Sequence, residues 1–213
     1  MITPSLKVIV AVTSPVAFED FNGSTLFKAS FSTAKAFTIE TSIDTHLTVA
    51  ITEGLEHKLP DLPYEIMLCD PLNPVSFASA IEKSRKCDLV AIHDAQRPLT
   101  RTNQFHQVLE ALVGNLDAVR PAASFTDTLK VVGLDQIIEK TVKRKSVLQI
   151  STPEIFRFEA IDFQARASTW FVPLVDIART ATVEAEPESF RVNSLSEIAL
   201  MESFVHWQKS IAH

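Results

Sequence analysis

Apolar positions along the chain recur with two different periods. Lys7 to Thr13 (KVIVAVT) is a continuous, largely β-branched run, the pattern of a strand covered on both faces. Leu47 to Thr52 (LTVAIT), Tyr64 to Cys69 (YEIMLC) and Asp88 to His93 (DLVAIH) read the same way. Between them, Thr25 to Phe37 sets Leu26, Phe27, Phe31, Ala34 and Phe37 at helical spacing, and Pro74 to Lys86 does so with Phe77, Ala80 and Ile81. Asn103 to Leu112 predicts a third helix, and Asn115 to Ala123 leads into a further strand. Thr128 to Val132 and Ile137 to Val142 alternate around Gly133 as the two arms of an antiparallel hairpin would. Pro153 to Ala165 predicts a helix, with Thr152 as its N-cap and Pro153 at its first position. Thr182 to Ala185 reads as a short strand, and Phe190 to Asn193 as the end of another extended segment. Ser194 or Ser196 caps a final helix from Glu197 to about Lys209, with Ile198, Met201, Phe204 and Val205 on one face.

Strands that alternate with helices over the first half predict a three-layer α/β fold, Rossmann-like, with a mostly parallel sheet. Such sheets bind ligands at the carboxyl ends of their strands. The hairpin near 125–145 does not fit simple alternation and predicts a β-arm leaving the body. The 213 residues form one domain on this reading, with no repeat or linker. Hydrophobic residues at 46% and charged residues at 22% are globular composition and argue against disorder. A net charge of −6 gives no long-range attraction to nucleic acid or an anionic membrane, although it leaves room for a local basic pocket. The apolar start of the chain is too short to span a bilayer, and Cys69 and Cys87 form no metal-spaced motif. Both points predict a cytoplasmic protein with reduced thiols.

The chemistry concentrates after the fourth strand. In His93-Asp94-Ala95-Gln96-Arg97-Pro98 a carboxylate and an arginine follow a buried strand directly. Alone, this is equally a turn held by an Asp–Arg pair. Yet LVAIHDAQRP, AVRPAASFTDTLK, TVKRKSVLQISTPEIF and VEAEPESFRVNSLSEIALME follow one another in order. The series over roughly 85–205 resembles the 2-C-methyl-D-erythritol 4-phosphate cytidylyltransferases of isoprenoid precursor synthesis. The matching stretches are HDAQRP, DTLK, TVKR with STPEIF, and FRVNSLSEI.

The resemblance implies a nucleotide-diphospho-sugar transferase-like fold with a seven-stranded, mostly parallel sheet. It implies a homodimer clasped through the β-arm, and transfer of CMP from CTP to a sugar-alcohol phosphate with magnesium. On it, Asp94 is a metal-binding carboxylate and Glu188 the second metal-binding acid. Arg97, Thr128, Arg144 and Thr152 bind substrate, with Arg144 reaching across the dimer arm. Arg191 and Arg144 assist catalysis, Arg191 standing where the family has lysine. Thr128, Thr152, Arg144 and Arg191 also have plain structural readings, as a strand threonine, a helix cap, a solvated turn and a surface ion pair.

Three stretches depart from the family. The family follows its first strand with a glycine-rich, basic loop that wraps the triphosphate. Here AVTSPVAFEDFNGSTLFKAS has no glycine before Gly23, no arginine, and Glu19 and Asp20 instead of cations. DPLNPVSFASAIEKS replaces the segment that holds cytosine, and TWFVPLVDIA replaces an acidic one. Two readings follow: a cytidylyltransferase that grips the triphosphate by other means, such as Lys28, Lys35 or a partner chain, or a non-catalytic relative that binds ligand as a dimer module.

Overall fold

The computed structural model describes residues 4–168 and 170–211. Strand β1 (Ser5–Val12) is the axis of the main sheet, and every residue from Leu6 onward is buried. Its even-numbered side chains, Leu6, Val8, Val10 and Val12, enter one core with helix α1 (Leu26–Glu40) and helix α3 (Thr102–Ala111). Its odd-numbered Ile9 and Ala11 enter the opposite core with helix α2 (Pro74–Lys83). This period-two division is why the strand reads as continuously apolar. Lys7 shares the second face, and its Nζ donates to Ser84 Oγ at 2.5 Å. Burial holds its pKa below the ordinary lysine value.

A short hairpin, β2 (Asp20–Phe21) with β3 (Ser24–Thr25), separates β1 from α1. It turns at Asn22 and Gly23, with φ of 52° and 75°, the positive values that an Asn-Gly turn supplies cheaply. Thr25 Oγ1 caps α1 by accepting from Lys28 N. Phe27, Phe31, Ala34 and Phe37 then form its buried face, and Phe37 stacks on Phe105 of α3 with ring centroids 5.0 Å apart.

Parallel pairing continues from β1 to β4 (Asp44–Ile51) and β5 (Glu65–Leu68) on one side, and to β6 (Leu89–Asp94) on the other. Beyond β6 the sheet is mixed. Strand β7 (Ala118–Ser124) takes β12 (Thr180–Glu184) in parallel, and both β10 (Leu148–Ile150) and β11 (Glu154–Arg157) antiparallel. The order is β10-β7-β11-β6-β1-β4-β5, with β12 beside β7. The expected mostly parallel α/β architecture is therefore present, with eight strands rather than seven.

The predicted hairpin arm is β8 (Lys130–Val132) with β9 (Ile138–Thr141), a separate two-stranded sheet. It exposes Val132, Leu134, Ile137 and Ile138. Helix α4 (Leu195–Ile211) follows Ser194, whose Oγ accepts from Glu197 N. Its Ile198 and Met201 join Val192 against Phe21 and Leu26, so α4 docks on the β2–β3 hairpin. Among the described residues no helix is long and apolar enough to cross a membrane.

Two local expectations are corrected. Pro153–Ala165 is not a helix: Glu154–Arg157 is strand β11, followed by a 3₁₀ turn at Phe158–Ala160. Ile155 packs into the α1/α3 core and Phe156 into the α2 core, the alternation of a strand set between β6 and β7. Non-local pairing overrides the local Thr-Pro start signal. Thr152 accordingly caps no helix, and the Thr152–Pro153 peptide is cis.

Candidate functional site

The carboxyl ends of the parallel strands open onto a cavity of about 340 Å³. Its polar wall holds Asp94, Arg97, Ser151, Thr152 and Arg191; its apolar wall holds Pro71, Leu72, Pro74, Ile150 and Phe171; Arg120, Glu154 and Trp170 complete it. Strand β6 carries Asp94 to this edge, and the tight turn after it closes with Arg97 N–H donating to Asp94 O at 3.1 Å. Asp94 is almost fully buried. Its Oδ1 accepts from Gln96 N at 3.0 Å and from the Thr13 hydroxyl at 3.2 Å. Its Oδ2 accepts from Arg191 Nε at 2.7 Å. Arg191 also donates to Thr13 Oγ1 at 2.9 Å and Gln96 Oε1 at 2.8 Å, and to Asn193 Oδ1. One guanidinium thus ties the end of β1, the turn after β6 and the segment before α4.

Arg97 is 9% exposed, and its guanidinium donates to the carbonyls of Ser189 and Ile150. Burial lowers its pKa, with Asp94 opposing the shift. Its Nε has no partner. Thr152 Oγ1 accepts from Asp94 N–H and lies 3.1 Å from His93 Nδ1. His93 is fully buried against Phe105, and desolvation pushes its pKa down to about 3, more than the Asp94 charge restores. A neutral imidazole that supports Thr152 is the result, rather than a proton acceptor for catalysis.

Four of the residues singled out by sequence, Asp94, Arg97, Thr152 and Arg191, therefore meet around one cavity. Three lie elsewhere. Thr128 is exposed in the approach to the arm. Arg144 is exposed and donates to Thr126 O. Glu188 pairs with Arg101 at 2.8 Å. None of the three lines the cavity. Lys28 and Lys35 are exposed on α1 and do not line it either.

Arg120 and Glu154 are participants that sequence reasoning passes over. Arg120 is 6% exposed in the middle of β7, with Nη2 at 3.3 Å from Glu154 Oε2. Desolvation lowers the Arg120 pKa and raises that of Glu154, each opposed by the partner's charge. An arginine inside the apolar run AVRPAA was the available signal, since a strand buried on both faces has no place for an unpaired cation.

Cations outnumber anions around this cavity: Arg97, Arg120 and Arg191 against Asp94 and Glu154. Such a cluster suits an anionic ligand, and phosphate oxygens match guanidinium donors. It suits a protein-held magnesium ion less well. Both Asp94 oxygens already accept hydrogen bonds, one of them from a guanidinium, and Glu188 is turned to Arg101. Among the described residues no group of three or more His, Cys, Asp or Glu side chains could hold a metal. The carboxylates as placed do not fit a resident divalent ion.

Comparison with known proteins gives a consistent result. A family model described as 2-C-methyl-D-erythritol 4-phosphate cytidylyltransferase matches residues 10–170. A protein of that description from Caldicellulosiruptor saccharolyticus is 37% identical over 75 residues, 35% of this chain and 33% of that one. The bifunctional enzyme IspD/IspF of Oleidesulfovibrio alaskensis is 28% identical over 128 residues, covering 55% of this chain and 32% of its own length. The chain thus spans about a third of the curated relatives it matches. In solved structures, the cytidylyltransferase from Thermus thermophilus superposes with TM-score 0.73 at 22% identity, covering 93% of this chain and 98% of that one. The 4-diphosphocytidyl-2C-methyl-D-erythritol synthase of Anaerococcus prevotii does so with TM-score 0.75 at 18% identity, covering 95% and 99%. At those identities the superpositions establish the fold.

Proposed function

Because the chain belongs to the 2-C-methyl-D-erythritol 4-phosphate cytidylyltransferase family, we propose that it transfers a cytidylyl group from CTP to 2-C-methyl-D-erythritol 4-phosphate in the cavity beside Asp94. The observation that carries this reading is the convergence of Asp94, Arg97, Thr152 and Arg191 there. A phosphate oxygen of the acceptor attacks the α-phosphorus of CTP, a new P–O bond forms, and the bond to the β-phosphate oxygen breaks to release pyrophosphate. Catalysis of such a displacement is chiefly positioning and charge stabilisation. Arg97 and Arg191 supply the charge, and Asp94 aims Arg191 through the 2.7 Å contact. The Thr152 hydroxyl is available to orient the acceptor.

The arm completes the proposal. Thr128 and Arg144 reach substrate only if a second copy brings them, so the active form is a homodimer clasped through β8–β9. The exposed Leu134, Ile137 and Ile138 support that reading, because an arm with no partner would leave them in water. Magnesium, in this reading, arrives with the nucleotide; no step is assigned to it. Free Cys69 and Cys87 support a reducing, cytoplasmic setting.

The connection from Thr13 to Thr25 favours a second reading. It contains Glu19 and Asp20 and no lysine or arginine, and its one glycine, Gly23, serves the hairpin turn. A chain that holds the acceptor phosphate but grips no triphosphate binds without turnover. Pyrophosphate release with CTP, magnesium and 2-C-methyl-D-erythritol 4-phosphate decides between them, with Asp94→Asn as control. Release that Asp94→Asn abolishes supports the transferase. No release, with calorimetric binding of the acceptor retained, supports the second reading.

A further inference from the structure

Trp170 is a half-buried aromatic side chain that packs on the α2-side core. It lines the cavity beside Asp94 on one side and a second cavity of about 410 Å³, with Ala167, Leu174 and Ala178, on the other. Beyond that apolar packing, a charged group holds the indole. The Arg120 guanidinium lies over the indole with its central carbon 3.1 Å from the ring centroid. Glu154 holds Arg120 through Oε2 and accepts the Phe171 N–H through Oε1 at 2.8 Å. The Ser168 hydroxyl oxygen accepts from Trp170 N at 2.8 Å. Thus a buried ion pair fixes both the plane of the ring and the backbone beside it.

This arrangement has a directional consequence. The cations Arg97 and Arg191 line the same cavity as the apolar Trp170, Leu72 and Phe171. An occupant that satisfies both kinds of lining has an anionic end and a carbon body. Inorganic phosphate satisfies the first alone. Arg120 also keeps a buried Nε without a partner.

Resting on the acceptor reading above, we propose that Trp170 is the binding surface for the carbon skeleton of the phosphorylated acceptor, and that Arg120 and Glu154 are the positioning residues that hold it there. Trp170 touches ligand; Arg120 and Glu154 act through it.

The test uses the full chain carrying Trp207→Phe, which leaves Trp170 as its one tryptophan. Trp207 is exposed on α4 and its ring neighbours Phe204, outside the cavity. Titration with 2-C-methyl-D-erythritol 4-phosphate is expected to change Trp170 emission saturably, whereas inorganic phosphate competes for the site without that change. Trp170→Phe is expected to hold the acceptor KM or Kd within about threefold, and Trp170→Ala to raise it at least tenfold, with kcat within threefold. The paired change Arg120→Met with Glu154→Leu removes the ion pair without leaving a lone buried charge, and its circular dichroism spectrum checks that the fold is kept. It is expected to weaken acceptor binding to a similar extent and to red-shift Trp170 emission. Calorimetric acceptor binding with silent Trp170 emission, or an unchanged KM in Trp170→Ala, overturns the proposal. A saturable Trp170 response without pyrophosphate release sustains it while defeating the transferase reading. Pyrophosphate release with silent Trp170 does the reverse, and neither signal defeats both.

Discussion

Replacing Arg191 with methionine should destabilise the fold as well as the site. The Arg191 Nε to Asp94 Oδ2 contact is 2.7 Å, and the two side chains are 32% and 4% exposed. Removing one member of a fully buried pair costs about 3–5 kcal/mol, because the remaining charge is stranded. Two features reduce that figure here. Arg191 is a third exposed, so solvent already screens the pair. Asp94 would also keep hydrogen bonds from Gln96 N and the Thr13 hydroxyl. About 2–3 kcal/mol is the expected loss for Arg191→Met, of which about 2 kcal/mol should be coupling to Asp94. Urea unfolding of wild type, Arg191→Met, Asp94→Asn and the double variant measures that coupling, provided the m-value stays constant. A coupling energy below about 0.5 kcal/mol would refute the reasoning and mark Arg191 as a surface side chain with an incidental neighbour.

Other outcomes can be checked independently. His93 has a pKa of about 3 when folded and an ordinary value near 6.5 when unfolded. The unfolded chain therefore binds the extra proton between those values, and this stability contribution falls as pH falls below 6.5. At pH 5 the loss is about 2 kcal/mol, and His93→Gln should show a correspondingly shallower acid slope in urea midpoints between about pH 7 and pH 5. Phe37→Ala, which empties the stacked pair with Phe105, should cost about 3–5 kcal/mol by the same measurement. Leu134→Asp with Ile137→Asp on the arm should convert a dimer to a monomer in sedimentation velocity while leaving the circular dichroism spectrum unchanged; a wild-type protein already monomeric at micromolar concentration would count against the arm as a clasp.

How legible each part was depended on how local its cause is. The strands around Val10, Val49 and Ala91 could be read from continuous apolar runs, because burial on both faces leaves no polar positions to confuse the period. The core face of α1 followed from the spacing of Phe27, Phe31 and Phe37, and that of α2 from Phe77 and Ile81. Strand β11 was misread because Thr152-Pro153 followed by Glu154 imitates a helix start, whereas the decisive partners, β6 and β7, lie far away in the chain. Strand β10 has only three residues, Leu148-Gln149-Ile150, all exposed, and its alternation is too short to mark a strand. The Asn22-Gly23 turn did carry a local signal, which a reading concerned with phosphate-gripping residues passes over. At the site, Asp94, Arg97, Thr152 and Arg191 were recognisable as motif members. Arg120, Glu154 and Trp170 were not, since their association exists only once β7, β11 and the 170–174 segment are side by side.

Arg191 joins Thr13, 178 positions earlier, and Asn22 N–H bonds Glu202 at a separation of 180. Nearly the whole chain must be synthesised before either link can close. During translation, Asp94 would sit at its strand end with only Thr13 and Gln96 for company, its charge unanswered. The ligand cleft is consequently a late product of folding, and a ribosome stalled before position 191 should release a chain with much of its sheet but no working pocket.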